Sequence, residues 1–162
     1  MVKALIISVI LCTNSLYAQD DLLEDVRQNI ASVFSDEEVC DRLNKAFEKA
    51  DLKGNVLLEG YRGGLLIGLA KHRTNPIKRL GYLSDGKELL ENSIARSNME
   101  QSVELRFLRL TIQTNLPSFL GYNDDKDADK AFVLENLSLV DSEQFKTQVK
   151  KFISTAEEEG KL

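Results

Sequence analysis

Val103–Thr114, VELRFLRLTIQT, decides the fold class. Read in steps of two, Val103, Leu105 and Phe107 alternate with Glu104 and Arg106, the pattern of a half-buried strand rich in β-formers. Read in helical steps, Ser102, Arg106, Arg109 and Gln113 fall at i, i+4, i+7 and i+11, one polar stripe between two apolar flanks. No other segment carries a hairpin signal, so a strand here has no partner for its N–H and C=O groups. The helical reading prevails. A helix over Glu100–Asn115 with two apolar flanks belongs at the centre of its fold.

Outward from that segment the punctuation is helical. Asn75-Pro76 pairs a capping residue with the residue best suited to the first helical position, opening a helix that runs to about Arg96. Ser97-Asn98 forms the turn before the central helix. Upstream, Val56–Thr74 is strongly apolar, and Asp51–Asn55 is a turn broken at Gly54. Ser35 precedes DEEVCDRLNKAFEKA as a capping serine with an acidic first turn. Asp20 or Asp21 caps a segment with Leu22, Val26, Ile30 and Phe34 on one stripe. Downstream, Leu116–Asn123 is a loop expected to fold back through Phe119, Leu120 and Tyr122. Asp124 opens a helix ending near Val140. Asp141 or Ser142 caps the last, whose apolar face is Phe145, Val149, Phe152 and Ile153. The expected fold is all-α: about seven helices packed as stacked antiparallel hairpins or an irregular bundle.

The first residues read differently. Lys3 precedes an apolar stretch from Ala4 to Cys12 and a short polar region ending in Leu16-Tyr17-Ala18, the three-part plan of a secretory signal peptide. Residues 1–18 are therefore read as a leader cleaved near Ala18, and 19–162 as one α-helical domain, periplasmic or secreted. Cleavage removes Cys12 and leaves Cys40 as the one thiol, placed with Leu43 and Phe47 on a helical face and expected to be buried and inert. No apolar run reaches the roughly 20 residues of a membrane-spanning helix, so none is expected in the mature chain.

The 162 residues carry 21 Lys+Arg against 26 Asp+Glu and a single His. One histidine disfavours His-based metal sites and relay triads, and no metal or cofactor is expected. The charge is layered: residues 20–59 sum to −6, 60–99 to +4 and 100–162 to −4. The positive centre gathers at Lys71, His72, Arg73, Lys78 and Arg79, where exposed amides opening the Asn75 helix would help hold a small anion or an acidic partner. Overall acidity argues against nucleic acid.

Three motifs suggest chemistry and lack parts of it. Gly81–Lys87 has the GxxxxGK spacing of a phosphate loop, but Glu88 stands where a Ser or Thr should hold Mg²⁺, and no strand precedes it. Asp125, Asp127 and Asp129 occupy the first, third and fifth positions of an EF-hand loop, with Lys130 and Asn136 where Gly and Glu are needed. Gly60, Gly64 and Gly68 recur every four residues, a ridge that permits close approach of another helix. On the central helix Arg106, Arg109 and Gln113 are binding candidates able to grip a carboxylate. The structural alternative pairs the two arginines with Glu59 or Glu104.

Gly86–Leu110, GKELLENSIARSNMEQSVELRFLRL, resembles the junction of tetratricopeptide-type repeats, with Ser97 at the usual proline of the turn. Asn75–Tyr122 is also similar to a family of exported helical proteins of Bacteroidota with no established activity. These resemblances imply helical-hairpin stacking and export. The expected function is a protein- or peptide-binding or scaffolding module in the cell envelope. Its alternatives are a small hydrolase using Glu/Asp, with Arg106 and Arg109 as a clamp and Glu59 and His72 as base, or a small-anion binder.

Overall fold

Side-chain caps set most helix boundaries, two of them, Asn75 and Ser142, at the expected places. In the computed structural model, which describes residues 19–117, 121–123 and 125–162, the leader over 1–18 with its cleavage point lies outside the described residues. So do Phe119, Leu120 and Asp124. Helix α1 spans residues 19–29 and is followed by a 3-10 turn, Ser32–Phe34; then come α2 (Glu37–Lys49), α3 (Val56–His72), α4 (Pro76–Arg96) and α5 (Met99–Asn115). Helix α6 (Lys126–Asn136), a second 3-10 turn (Leu137–Leu139) and α7 (Glu143–Glu158) complete the order. No strand occurs among the described residues. The fold is all-α.

Asn75 Oδ1 accepts from the amides of Ile77 and Lys78, with Pro76 at the first helical position. Asn98 and Gln101 form a reciprocal capping box at the start of α5. Ser142 caps α7. Other boundaries differ from expectation. Asp20 and Asp21 lie within α1 rather than capping it, and α6 stops at Asn136, where the chain tightens into the 3-10 turn short of Val140. Asp36, not Ser35, caps α2, its carboxylate accepting from Glu38 and Val39; Ser35 closes the preceding 3-10 turn by donating to the Ser32 carbonyl. Phe34 lies in that turn and Ile30 just past the end of α1, so the stripe Leu22, Val26, Ile30 and Phe34 is buried throughout but is not one helix.

Helix α5 lies between two cores. Leu105, Leu108 and Ile112 join a large cluster with α1 to α4. Val103, Phe107 and Leu110 join a smaller one with Val133, Leu137, Val149 and Ile153. The two alternating registers of VELRFLRLTIQT are thus two faces of one helix. Phe107 anchors the second core, its ring edge-on to Phe145 and Phe152 with centroids 5.5 Å away in each case. Leu116 and Tyr122 pack against the first core.

The glycine ridge is a packing device. A Cβ on Gly60 would lie 2.3 Å from Leu105 of α5, and one on Gly68 2.1 Å from Val33. The tightest backbone contact belongs to Gly63, outside the ridge. Its Cβ would sit 2.7 Å from the Gly86 carbonyl oxygen, and a Cβ on Gly86 equally close to the Gly63 oxygen. Helices α3 and α4 meet backbone to backbone there.

Cys40 is fully buried, and burial, with the Asp41 charge in support, pushes its thiol up to about 12. Burial likewise raises Tyr61 and Tyr122 above the ordinary tyrosine value. Each protonated form is favoured by the fold. Their contribution is complete below the unfolded values, near pH 9 for the thiol, and is lost as the pH climbs through the folded ones. Urea midpoints are expected to hold from pH 6 to about 8.5 and to fall above it. The fall should be shallower in Cys40→Ala; equal slopes would contradict the assignment.

Candidate functional site

The polar stripe of α5 comes together, with partners other than those foreseen. Arg109 donates from Nε to Asp129 Oδ2 (2.6 Å), from Nη2 to Asp129 Oδ1 (2.7 Å) and from Nη1 to Glu91 Oε2 (2.5 Å). Arg106 donates to the same Asp129 Oδ1 at 3.0 Å and to Ser102, and lies 4.4 Å over the Phe132 ring. Asp129 is fully buried and Arg109 nearly so. Tyr122 donates to Glu91 Oε1 at 2.6 Å, closing a network across α4, α5, α6 and the loop. Burial disfavours the Arg109 charge, but the Asp129 hydrogen bonds and nearby carboxylates outweigh it and hold the guanidinium above its ordinary pKa.

The carboxylate in the arginine fork is therefore the chain's own. Glu59 pairs instead with Arg96, and Glu104 with Arg27. The EF-hand spacing resolves the same way: Asp129 serves two arginines, and Asp125 approaches Arg109 and Gln113 at 3.5 Å rather than capping α6. Gln113 is buried, and its Oε1 has no partner among the described residues. No group of three or more potential ligands arranged for a metal ion occurs among the described residues.

The basic turn is partly committed. Arg73 reaches across to Glu37 (3.1 Å) and Asp41 (2.7 Å) on α2, and Arg79 folds back onto the Arg73 carbonyl oxygen. His72 Nε2 lies 2.7 Å from the Val33 carbonyl oxygen. Asn75 already occupies the Ile77 and Lys78 amides. Lys71 and Lys78 stand exposed. Glu59 and His72 are thirteen residues apart on α3, about 20 Å along its axis at ~1.5 Å per residue, too far to act on one proton. The glycines of the phosphate-loop spacing lie inside α4, with Gly86 against Gly63.

A cleft of about 660 Å³ between α1, α5 and α7 was not foreseen. Its floor is a closed trio: Arg27 grips Glu104 with two hydrogen bonds (2.6 and 2.7 Å), and buried Tyr61 donates to the same carboxylate at 2.7 Å. The Glu104 hydrogen bond, foremost, raises the Arg27 pKa, so the guanidinium stays charged. Ile30, Phe107, Leu108, Phe145 and Phe152 give apolar walls. Gln28, Gln144 and Gln148 stand exposed at the rim, with Glu24, Glu100 and Asp141, which form no ion pair among the described residues. The sequence signal was present in Phe145 and Phe152, one face of α7, but that face equally describes a core.

No family model, curated protein or solved structure matches this chain. Among the described residues no helix is long and apolar enough to cross a membrane.

Proposed function

We propose that this protein is a peptide- or protein-binding module whose site is the α1–α5–α7 cleft. One observation carries the reading: an apolar, aromatic wall opens to solvent beside a rim of amides and of carboxylates that form no ion pair among the described residues, Glu24 accepting only from Gln28, over a floor whose charges satisfy one another. Such a surface can take apolar side chains and hydrogen-bond a peptide backbone at the rim. Its excess negative charge favours a partner whose apolar residues are flanked by Lys or Arg. A signal-like residues 1–18 and the resemblance to exported helical proteins support a partner in the cell envelope. The hydrolase alternative loses force because Arg106 and Arg109 already hold Asp129, and Glu104 already holds Arg27.

Selection of a random-peptide library on the protein tests the reading. Enriched peptides are expected to carry aromatic or aliphatic residues beside basic ones. Their affinity should fall at least tenfold, about 1.4 kcal/mol, in the rim variants Ala31→Arg and Gln148→Arg, whose positions are exposed. Enriched peptides indifferent to both variants would place binding elsewhere.

A further inference from the structure

Nothing among the described residues requires Gly81 to be glycine. Glycine weakens a helix interior relative to alanine, and the other helical glycines, from Gly60 to Gly86, all face a close neighbour. Among the described residues a Cβ on Gly81 would meet nothing within 4 Å. Beside it stand the two most exposed large apolar side chains among the described residues, Ile77 at 81% and Leu80 at 64%. Ile77, Gly81, Ser84 and Glu88 follow one another at i, i+4, i+7 and i+11 along the outer face of α4, and all are exposed. Leu83, Gly86 and Leu90 hold the opposite, buried face.

We propose that this outer face of α4 packs against the same face of a second copy, antiparallel, about a two-fold axis near Gly81. The notch at each Gly81 lets the backbones approach and receives Leu80 of the other copy, while Ile77 lies farther out, alongside Ser84 of the other copy. The charges select this occupant and this direction. Lys78 and Asp85 are seven residues apart, on one flank of the line, and neither forms an ion pair among the described residues. Antiparallel pairing sets Lys78 of each copy beside Asp85 of the other, twice over. Parallel pairing would carry the two copies' Lys78–Asp85 flanks to opposite edges of the contact, and neither pair would form. A contact of about three helical turns lies at the small end of interfaces, so association is expected at micromolar concentrations or above.

Sedimentation velocity of the purified protein from about 1 µM to 1 mM tests this. A concentration-dependent monomer–dimer equilibrium is expected. Lys78→Glu and Asp85→Lys should each weaken it by roughly tenfold or more, and an equimolar mixture of the two variants should form a heterodimer. Gly81→Ala should raise the melting temperature of the monomer while weakening the dimer, which separates association from folding. A monomer across the whole range overturns the proposal, as does a dimer indifferent to both charge reversals. Binding of the same face to anionic vesicles without self-association also overturns it.

Discussion

Asp129→Ala is expected to lower the stability of the fold by about 3–5 kcal/mol, the usual cost of removing one partner from a buried charge pair. Asp129 is fully buried, and its two oxygens accept three hydrogen bonds from Arg106 and Arg109. Without it, Arg109 keeps only Glu91 and the more distant Asp125, and its guanidinium stays charged in a site with little access to water. A domain of this size is stable by ~5–15 kcal/mol, so the variant should lose about a fifth or more of its urea resistance. Arg106→Ala should cost less, because its side chain is 28% exposed and Arg109 still satisfies Asp129. Arg109→Ala with Asp129→Ala should fall well short of the sum of the single losses, since each alone strands the other's charge. A near-zero loss in Asp129→Ala would show that the network is no structural element, and would return the two arginines to the list of ligand-binding candidates.

That network also marks the limit of what the sequence discloses. Caps are local chemistry, and Asn75-Pro76 and Ser142 could be read from a few residues each. Ser35 misled because a serine and an aspartate stand side by side, and the choice depends on the 3-10 turn that consumes the serine. The polar stripe of α5 was legible from periodicity, but its partners were not. Asp129 is twenty residues beyond Arg109, and only the placement of α6 brings it into the fork, where Glu59 and Glu104 were equally charged candidates. The cleft is harder still. It is made by the standoff between α1 and α7 over α5, and no local pattern encodes a distance between helices.

The glycines test the same distinction, and the second large effect is expected there. Gly63→Val should destabilise the fold by about 3 kcal/mol or more, at the upper end of overpacking costs. Its Cβ would fall 2.7 Å from both the Gly86 carbonyl oxygen and the Leu90 amide nitrogen. Backbone cannot turn aside as a side-chain tip can, so α3 and α4 must part, loosening Leu65, Ile67 and Leu90 in the first core. Gly86→Val should match it, because a Cβ there meets the Gly63 oxygen and Ile67. Even alanine at either position should lose more from the clash than the ~1 kcal/mol that replacing a helical glycine gains. Gly64→Ala, on the periodic ridge, should be nearly neutral: its Cβ would touch Leu108 and Ile112 side chains at 3.3 Å, and these can yield. Gly64→Leu exceeds that allowance and should be destabilising. Thermal melts of the series should rank Gly63 and Gly86 as the least tolerant. A stable, fully folded Gly63→Val would mean that the backbone contact does not set the spacing of α3 and α4.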